Sequence, residues 1–115
     1  MEVGFSPNAA LRISTPRYTR AASFFTLKDI GEFKVPMIGE IYVRNAAMAV
    51  AAAHYYQVPV ETIREAVARF KGIKRRQEII GTPGGITVID DFGHHPTAIR
   101  QTLAALRHRF PGKKI

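Results

Sequence analysis

The residues best suited to chemistry stand together in Asp90-Asp91-Phe92-Gly93-His94-His95-Pro96-Thr97. Two carboxylates lie where the apolar run Val88-Ile89 gives out, and two imidazoles precede a proline that fits the first position of a helix, where no backbone donor is needed. In open α/β sheets, ligands bind beyond the carboxyl ends of strands. A helix N-terminus adds free N–H groups and a partial positive charge, which suit phosphate. Asp91 can accept hydrogen bonds from ribose hydroxyls, His94 can donate to a phosphate or ribose oxygen, and Gly93 lets the backbone approach a ligand. A metal site uses the same residue types, but adjacent residues rarely converge on one ion without distant partners, so nucleotide binding is the better reading. A structural role, with His95 capping the helix and an Asp closing the turn, would explain any one of these residues but not all four.

Two further groups carry polar chemistry. Phe70-Lys71-Gly72-Ile73-Lys74-Arg75-Arg76-Gln77-Glu78 has the composition of a linker, and Gly72 offers a hinge. Arg76 is the residue expected to stack on a purine or meet phosphate, whereas Lys71 and Lys74 read as solvated charge. In Gly39-Glu40-Ile41-Tyr42-Val43-Arg44-Asn45, the Asn45 amide matches the edge of adenine, although a helix-start Asn taken alone is more often a surface or capping residue.

The elements that must hold these groups follow from periodicity. Residues 11–14, 21–27 and 33–35 read as short strands, interrupted by Pro7, Asn8, Pro16 and the Asp29–Gly31 stretch. An Ala-rich helix is expected from about Ile41 to Tyr56, with Ala46, Ala47, Val50 and Ala51 at helical spacing. A second helix, from about Val60 to Phe70, carries Ile63, Ala66, Val67 and Phe70 at i, i+3, i+4 and i+7. Strands over 78–81 and 86–90 flank Thr82-Pro83-Gly84-Gly85, where Pro followed by Gly suits a type II turn. A third helix begins at Pro96 with Ile99, Leu103 and Leu106 as its buried stripe, and Lys113-Lys114-Ile115 reads as the entry to another strand. Strand, helix and strand in that order open a βαβ unit whose sheet needs more strands than the chain supplies, so the sequence reads as a piece of a longer protein.

Composition bounds the partners. The 115 residues are 46% hydrophobic and 23% charged, a soluble globular balance rather than a disordered one. No apolar run approaches the roughly 20 residues needed to span a bilayer, and the N-terminus lacks the pattern of a signal peptide. With no cysteine there is no disulfide and no thiolate metal site, which suits a reducing compartment, and a cytoplasmic location is expected. A net charge of +8 attracts anions without choosing among phosphorylated small molecules, nucleic acid and anionic lipid. A free-standing nucleic-acid module would need aromatics on a basic platform. Here Phe24 and Phe25 fall in a strand and Phe70 on a helical stripe, so a core claims them.

Gly39-Glu40 with Asn45-Ala46-Ala47, Phe70-x-Gly72 with Arg75-Arg76, and the Asp90–Thr97 block match, in order and spacing, the Mur ligases of peptidoglycan assembly; the resemblance covers roughly residues 35 to 115. The aspartate–histidine block is similar to that of members acting on UDP-N-acetylmuramate. Phe92 and Thr97-Ala98-Ile99 most resemble the branch that attaches salvaged L-alanyl-γ-D-glutamyl-meso-diaminopimelate tripeptide in murein recycling, with the branch that adds L-alanine as the alternative.

The resemblance implies a cytoplasmic, ATP- and Mg²⁺-dependent amide ligase that activates the muramoyl carboxylate as an acyl phosphate, which an amino acid or peptide amine then attacks. The fold implied is α/β: residues 1–73 would be the C-terminal part of a central ATP-binding domain, and 74–115 the first βαβ part of a Rossmann-like C-terminal domain. Asn45 and Arg76 would hold adenine, Asp91 the ribose hydroxyls, and His94 the nucleotide from the C-terminal side; no metal ligand falls within the chain. The family's usual His-Asn is replaced by Ile41-Tyr42, so either Tyr42 stacks on the base or the grip weakens. No G-x-x-x-x-G-K-[ST] loop is present, so these 115 residues alone are expected not to catalyse ligation. The alternative from another class is a non-catalytic basic module that binds nucleotide or nucleic acid.

Overall fold

The computed structural model describes residues 2–115. Four strands, β1 (Val3–Gly4), β2 (Leu11–Tyr18), β3 (Ser23–Leu27) and β4 (Gly31–Val35), form one sheet in that order, with β1 parallel to β2 and the rest antiparallel. The period-2 pattern of β3 drives Ser23, Phe25 and Leu27 to one face, where each is at most 1% exposed. Phe33 and Val35 of β4 and Ile13 of β2 complete that face, and Phe25 stacks on Phe33 with ring centroids 5.7 Å apart.

Pro16, expected to break the strand, lies inside β2. The pairing passes from Ile13↔Leu27 to Arg17↔Phe24, one extra residue on β2, and Thr15 there has φ 48°. A bulge is where a sheet tolerates a proline, because its ladder bond is already lost.

Two helices cover the sheet. In α1 (Glu40–Tyr55), Val43, Ala47, Val50 and Ala51 are buried, and their small side chains let the helix axis sit close to the strands. In α2 (Val60–Ala68), Ile63 enters the same core. Val67, half-buried, packs against that core, whereas Ala66 and Phe70 are exposed; all three also face a cavity. Phe70 also lies beyond the helix end.

After a linker, β5 (Glu78–Gly81) and β6 (Val88–Asp90) form an antiparallel hairpin, followed by α3 (Pro96–Arg109). The hairpin turn runs Pro83-Gly84-Gly85-Ile86, closed by Ile86 N–H donating to the Pro83 carbonyl at 3.0 Å. Both central residues have positive φ, 57° and 80°, as in a type I′ turn, which matches strand twist better than the expected type II. Two further expectations fail here. Ile99 and Leu103 of α3 are 45% and 46% exposed; Leu106 is buried as that stripe requires, and Ala105 is buried beside it. No strand forms at Lys113–Ile115, where no neighbouring strand offers a ladder. Ile79, Ile80, Ile86 and Val88 of the hairpin region are likewise exposed, because α3 packs mainly on α1 rather than on the hairpin. No helix of the described residues is long and apolar enough to cross a membrane.

Candidate nucleotide site at the linker

A relay of hydrogen bonds sets the second unit against the first. Ser23, fully buried, donates through its hydroxyl to the Met37 carbonyl at 2.7 Å and accepts from Gly39 N–H at 3.2 Å, which fixes the segment between β4 and α1. The Ile38 carbonyl thereby faces Gln77, whose Nε2 donates to it at 3.3 Å. Gln77 is 5% exposed, and its own N–H donates to Asp91 Oδ2 at 3.1 Å while its carbonyl accepts from Arg109 at 3.1 Å. Gly39 allows α3 to close on α1, since its hydrogen-only face lies against the Ala105 methyl.

The linker is tied along its length to the strand end. Arg75 pairs with Asp90 at 3.4 Å, its carbonyl accepts from Phe92 N–H at 2.8 Å, and Arg75 and Arg76 both lie over the Phe92 ring. Arg75 and Gln77 adopt left-handed φ of 59° and 51°, a conformation uncommon outside glycine that these contacts hold in place.

Between the units lies a cavity of about 480 Å³, within the range of small-ligand sites. Of the residues singled out in the sequence, Asn45 from α1, Arg76 from the linker and Asp91 from the end of β6 all line it. The walls are mainly apolar: Ile41, Ala46 and Ala49 of α1, Val67 of α2, and Phe70 and Ile73 of the linker. Asp91 Oδ1 accepts from Gly93 N–H at 2.8 Å and Oδ2 from Gln77 N–H, so each oxygen is oriented. A carboxylate has about four acceptor sites, which leaves two for a ligand. Among the described residues the Asn45 amide makes no side-chain hydrogen bond and is free to meet a base edge.

His94 is not among the cavity residues. It is exposed, packs edge-on to Phe92 at 5.3 Å, and its Nδ1 lies 3.1 Å from the Phe92 carbonyl. A carbonyl only accepts, so Nδ1 is the donor in this contact and Nε2 is left without a protein partner among the described residues. His95 is the helix cap, accepting from Thr97 N–H at 3.3 Å.

Phe70, Ala98 and Thr102 also reach the cavity, though none stood out as a binding residue in the sequence. Ala98 and Thr102 are four apart on α3, a polar-tolerant face that the apolar stripe reading passed over. Tyr42 lines the cavity too, and its pKa is pushed up from 10.0 to about 12, first by burial and then by the charge of Asp91, with Arg76 and Arg109 opposing. The folded state therefore holds the phenol proton that the unfolded chain releases first. Its contribution to stability is complete below pH 10 and is lost as pH rises toward 12. Tyr42→Phe should flatten the fall in stability over that interval relative to the parent, as read from urea midpoints against pH.

An α/β body joined by a tied linker to a second α/β unit, with a ligand-sized cavity between them, is the fold of the Mur ligases. The chain superimposes on the UDP-N-acetylmuramate-alanine ligase MurC of Thermotoga maritima with a TM-score of 0.84 at 25% identity, covering 95% of this chain and 27% of that one. It superimposes on the murein peptide ligase of Psychrobacter arcticus with a TM-score of 0.59 at 31% identity, covering 97% and 24%. A UDP-N-acetylmuramate–L-alanine ligase of Myxococcus xanthus is 41% identical over 97 residues, 84% of this chain and 20% of that protein. Residues 75–115 match the family described as Mur ligase, glutamate ligase domain. The chain spans about a fifth to a quarter of the length of the curated relatives it matches.

Proposed function

We propose that this chain is the nucleotide-gripping junction of an ATP-dependent amide ligase. In this reading, residues 1–73 close the central ATP-binding domain and 74–115 open the C-terminal one. One observation carries it: Asn45, Arg76 and Asp91, from three elements on both sides of the linker, line a single cavity. Asn45 reads the adenine edge, Tyr42 and Phe70 supply flat apolar faces for the base, Arg76 stacks on it, and Asp91 accepts from the ribose hydroxyls. His94 Nε2 meets a nucleotide oxygen beyond the cavity. Residues of this size and polarity fit an adenosine moiety. They include no group of three His, Asp or Glu side chains placed to hold a metal among the described residues, so Mg²⁺ is not assigned to them.

ATP would supply the phosphoryl group that activates a muramoyl carboxylate as an acyl phosphate. The work of this chain is to hold the base and ribose from both sides of the linker, so that nucleotide binding and domain closure are coupled. The amino substrate we favour is L-alanine rather than the tripeptide, because curated relatives at 36–44% identity carry the alanine-ligase name. UDP-N-acetylmuramate is the proposed acceptor and the cytoplasm the proposed location.

Calorimetry with adenosine tests the site directly. We expect saturable one-to-one binding, weakened by up to about tenfold by Asn45→Ala, since a hydrogen bond of this kind contributes about 0.5–1.5 kcal/mol. Unchanged affinity in a folded Asn45→Ala variant would remove the adenine assignment.

A further inference from the structure

A second cavity, of about 320 Å³, opens on the other face of the linker. Arg20, from the β2–β3 turn, lines it together with Lys71, Lys74 and Arg76 of the linker and Arg109 at the end of α3; Glu78 is the one carboxylate among them. The five cations come from three segments far apart in sequence. None of them forms a salt bridge among the described residues, although carboxylates elsewhere on the surface pair with Arg17, Arg44, Arg64, Arg69 and Arg75. Glu78 is itself engaged by the Arg75 N–H at 2.8 Å. Arg109 is oriented into this corner by its bond to the buried Gln77 carbonyl.

Like charges gathered in one concavity repel one another, even where, as for Arg20, Lys71 and Lys74, the side chains are exposed. The fold accepts it here while neutralising most other arginines. We propose that this cavity is a multivalent-anion site, taking a small ligand with two or more linked phosphate groups. A monovalent ion would leave most of the charge uncompensated, whereas linked phosphates can meet several of these donors at once. The site is separate from the adenosine cavity, with Ile73 and Arg76 of the linker forming the partition between them. An anion here would tie the β2–β3 turn, the linker and α3 together, and so favour one setting of the linker.

Inorganic tripolyphosphate is the probe. Titrated into the folded chain by calorimetry at low ionic strength, it should bind once per chain, and saturating adenosine, whose cavity shares only Ile73 and Arg76 with this one, should leave most of that binding in place. Lys71→Gln with Lys74→Gln should weaken it about tenfold or more, since two charge-assisted hydrogen bonds to phosphate disappear. Arg12→Gln with Lys28→Gln, the same charge change on exposed residues of the sheet, should alter it by less than about twofold once salt screening is matched. Equal weakening in both pairs would reduce the cavity to part of a diffuse basic surface and overturn the proposal. Competition by adenosine would overturn it differently, by merging the two cavities, and absence of binding to the parent would end it. Adenosine affinity, measured separately, reports on the nucleotide reading whichever way tripolyphosphate behaves.

Discussion

Gly39→Ala should destabilise the chain by roughly 2–4 kcal/mol, among the largest effects of any single added methyl group in this fold. Two causes act together. Gly39 has φ 124°, a backbone region nearly closed to side-chain-bearing residues, and a Cβ placed there would lie 2.8 Å from the Ala105 Cβ. Relief would require α3 to lift from α1, which also strains the Gln77 bond to the Ile38 carbonyl. Urea unfolding measures the loss. Ala105→Gly in the Gly39→Ala background separates the causes: it removes the facing methyl and should recover the crowding component while the backbone strain remains. A Gly39→Ala chain as stable as the parent would mean that α3 does not seat on α1 as described.

The second large effect falls on Asp91. Asp91→Ala should lower adenosine affinity by about tenfold to a hundredfold, because hydrogen bonds to a charged acceptor contribute about 1.5–3 kcal/mol. The same change removes the acceptor for the Gln77 and Gly93 N–H groups, so a cost in stability of about 1–3 kcal/mol accompanies it. Affinity alone would confuse the two roles. The ratio of adenosine to adenine affinity separates them: if Asp91 holds the ribose, removing it lowers adenosine binding and spares adenine. A general collapse of the cavity lowers both. Asp91→Asn keeps one acceptor oxygen and should fall between parent and alanine variant in stability. If the adenosine-to-adenine ratio is unchanged in Asp91→Ala, Asp91 is a structural clasp of the linker and not a ribose ligand.

The recycling-branch reading rests on Phe92 and Thr97-Ala98-Ile99, and the structure shows why those positions discriminate poorly. Phe92 lies under Arg75 and Arg76 and beside His94, so its contacts serve the linker. The His95 cap uses only the backbone N–H of Thr97, and Ile99 lies on a half-exposed face. Residues that pack the junction report on the junction, which Mur ligases of different amino substrate share. The alternative, the alanine-adding branch, is the one the curated relatives' names favour.

Periodicity located all three helices and five of the six strands, because that spacing is written locally; it missed the two-residue β1 and stopped β2 short at Pro16. The clustering of Asp91 with a helix start was equally local, as was the capping role open to His95. What the sequence left undecided depended on distant partners. Ile99 and Leu103 have the spacing of a buried stripe, yet burial needs a surface to meet, and only Ala105 and Leu106 find one. Phe70 looked like core by the same spacing and instead walls the cavity, because α2 ends before it. That Asn45 and Asp91, 46 positions apart, share one cavity while His94, three residues on, is not among its lining residues was settled between segments, by bonds such as the Ser23–Met37, Gln77–Ile38 and Gln77–Asp91 relay. Local pattern determines what each segment can be; the assembled bonds between segments determine which side chains face one another.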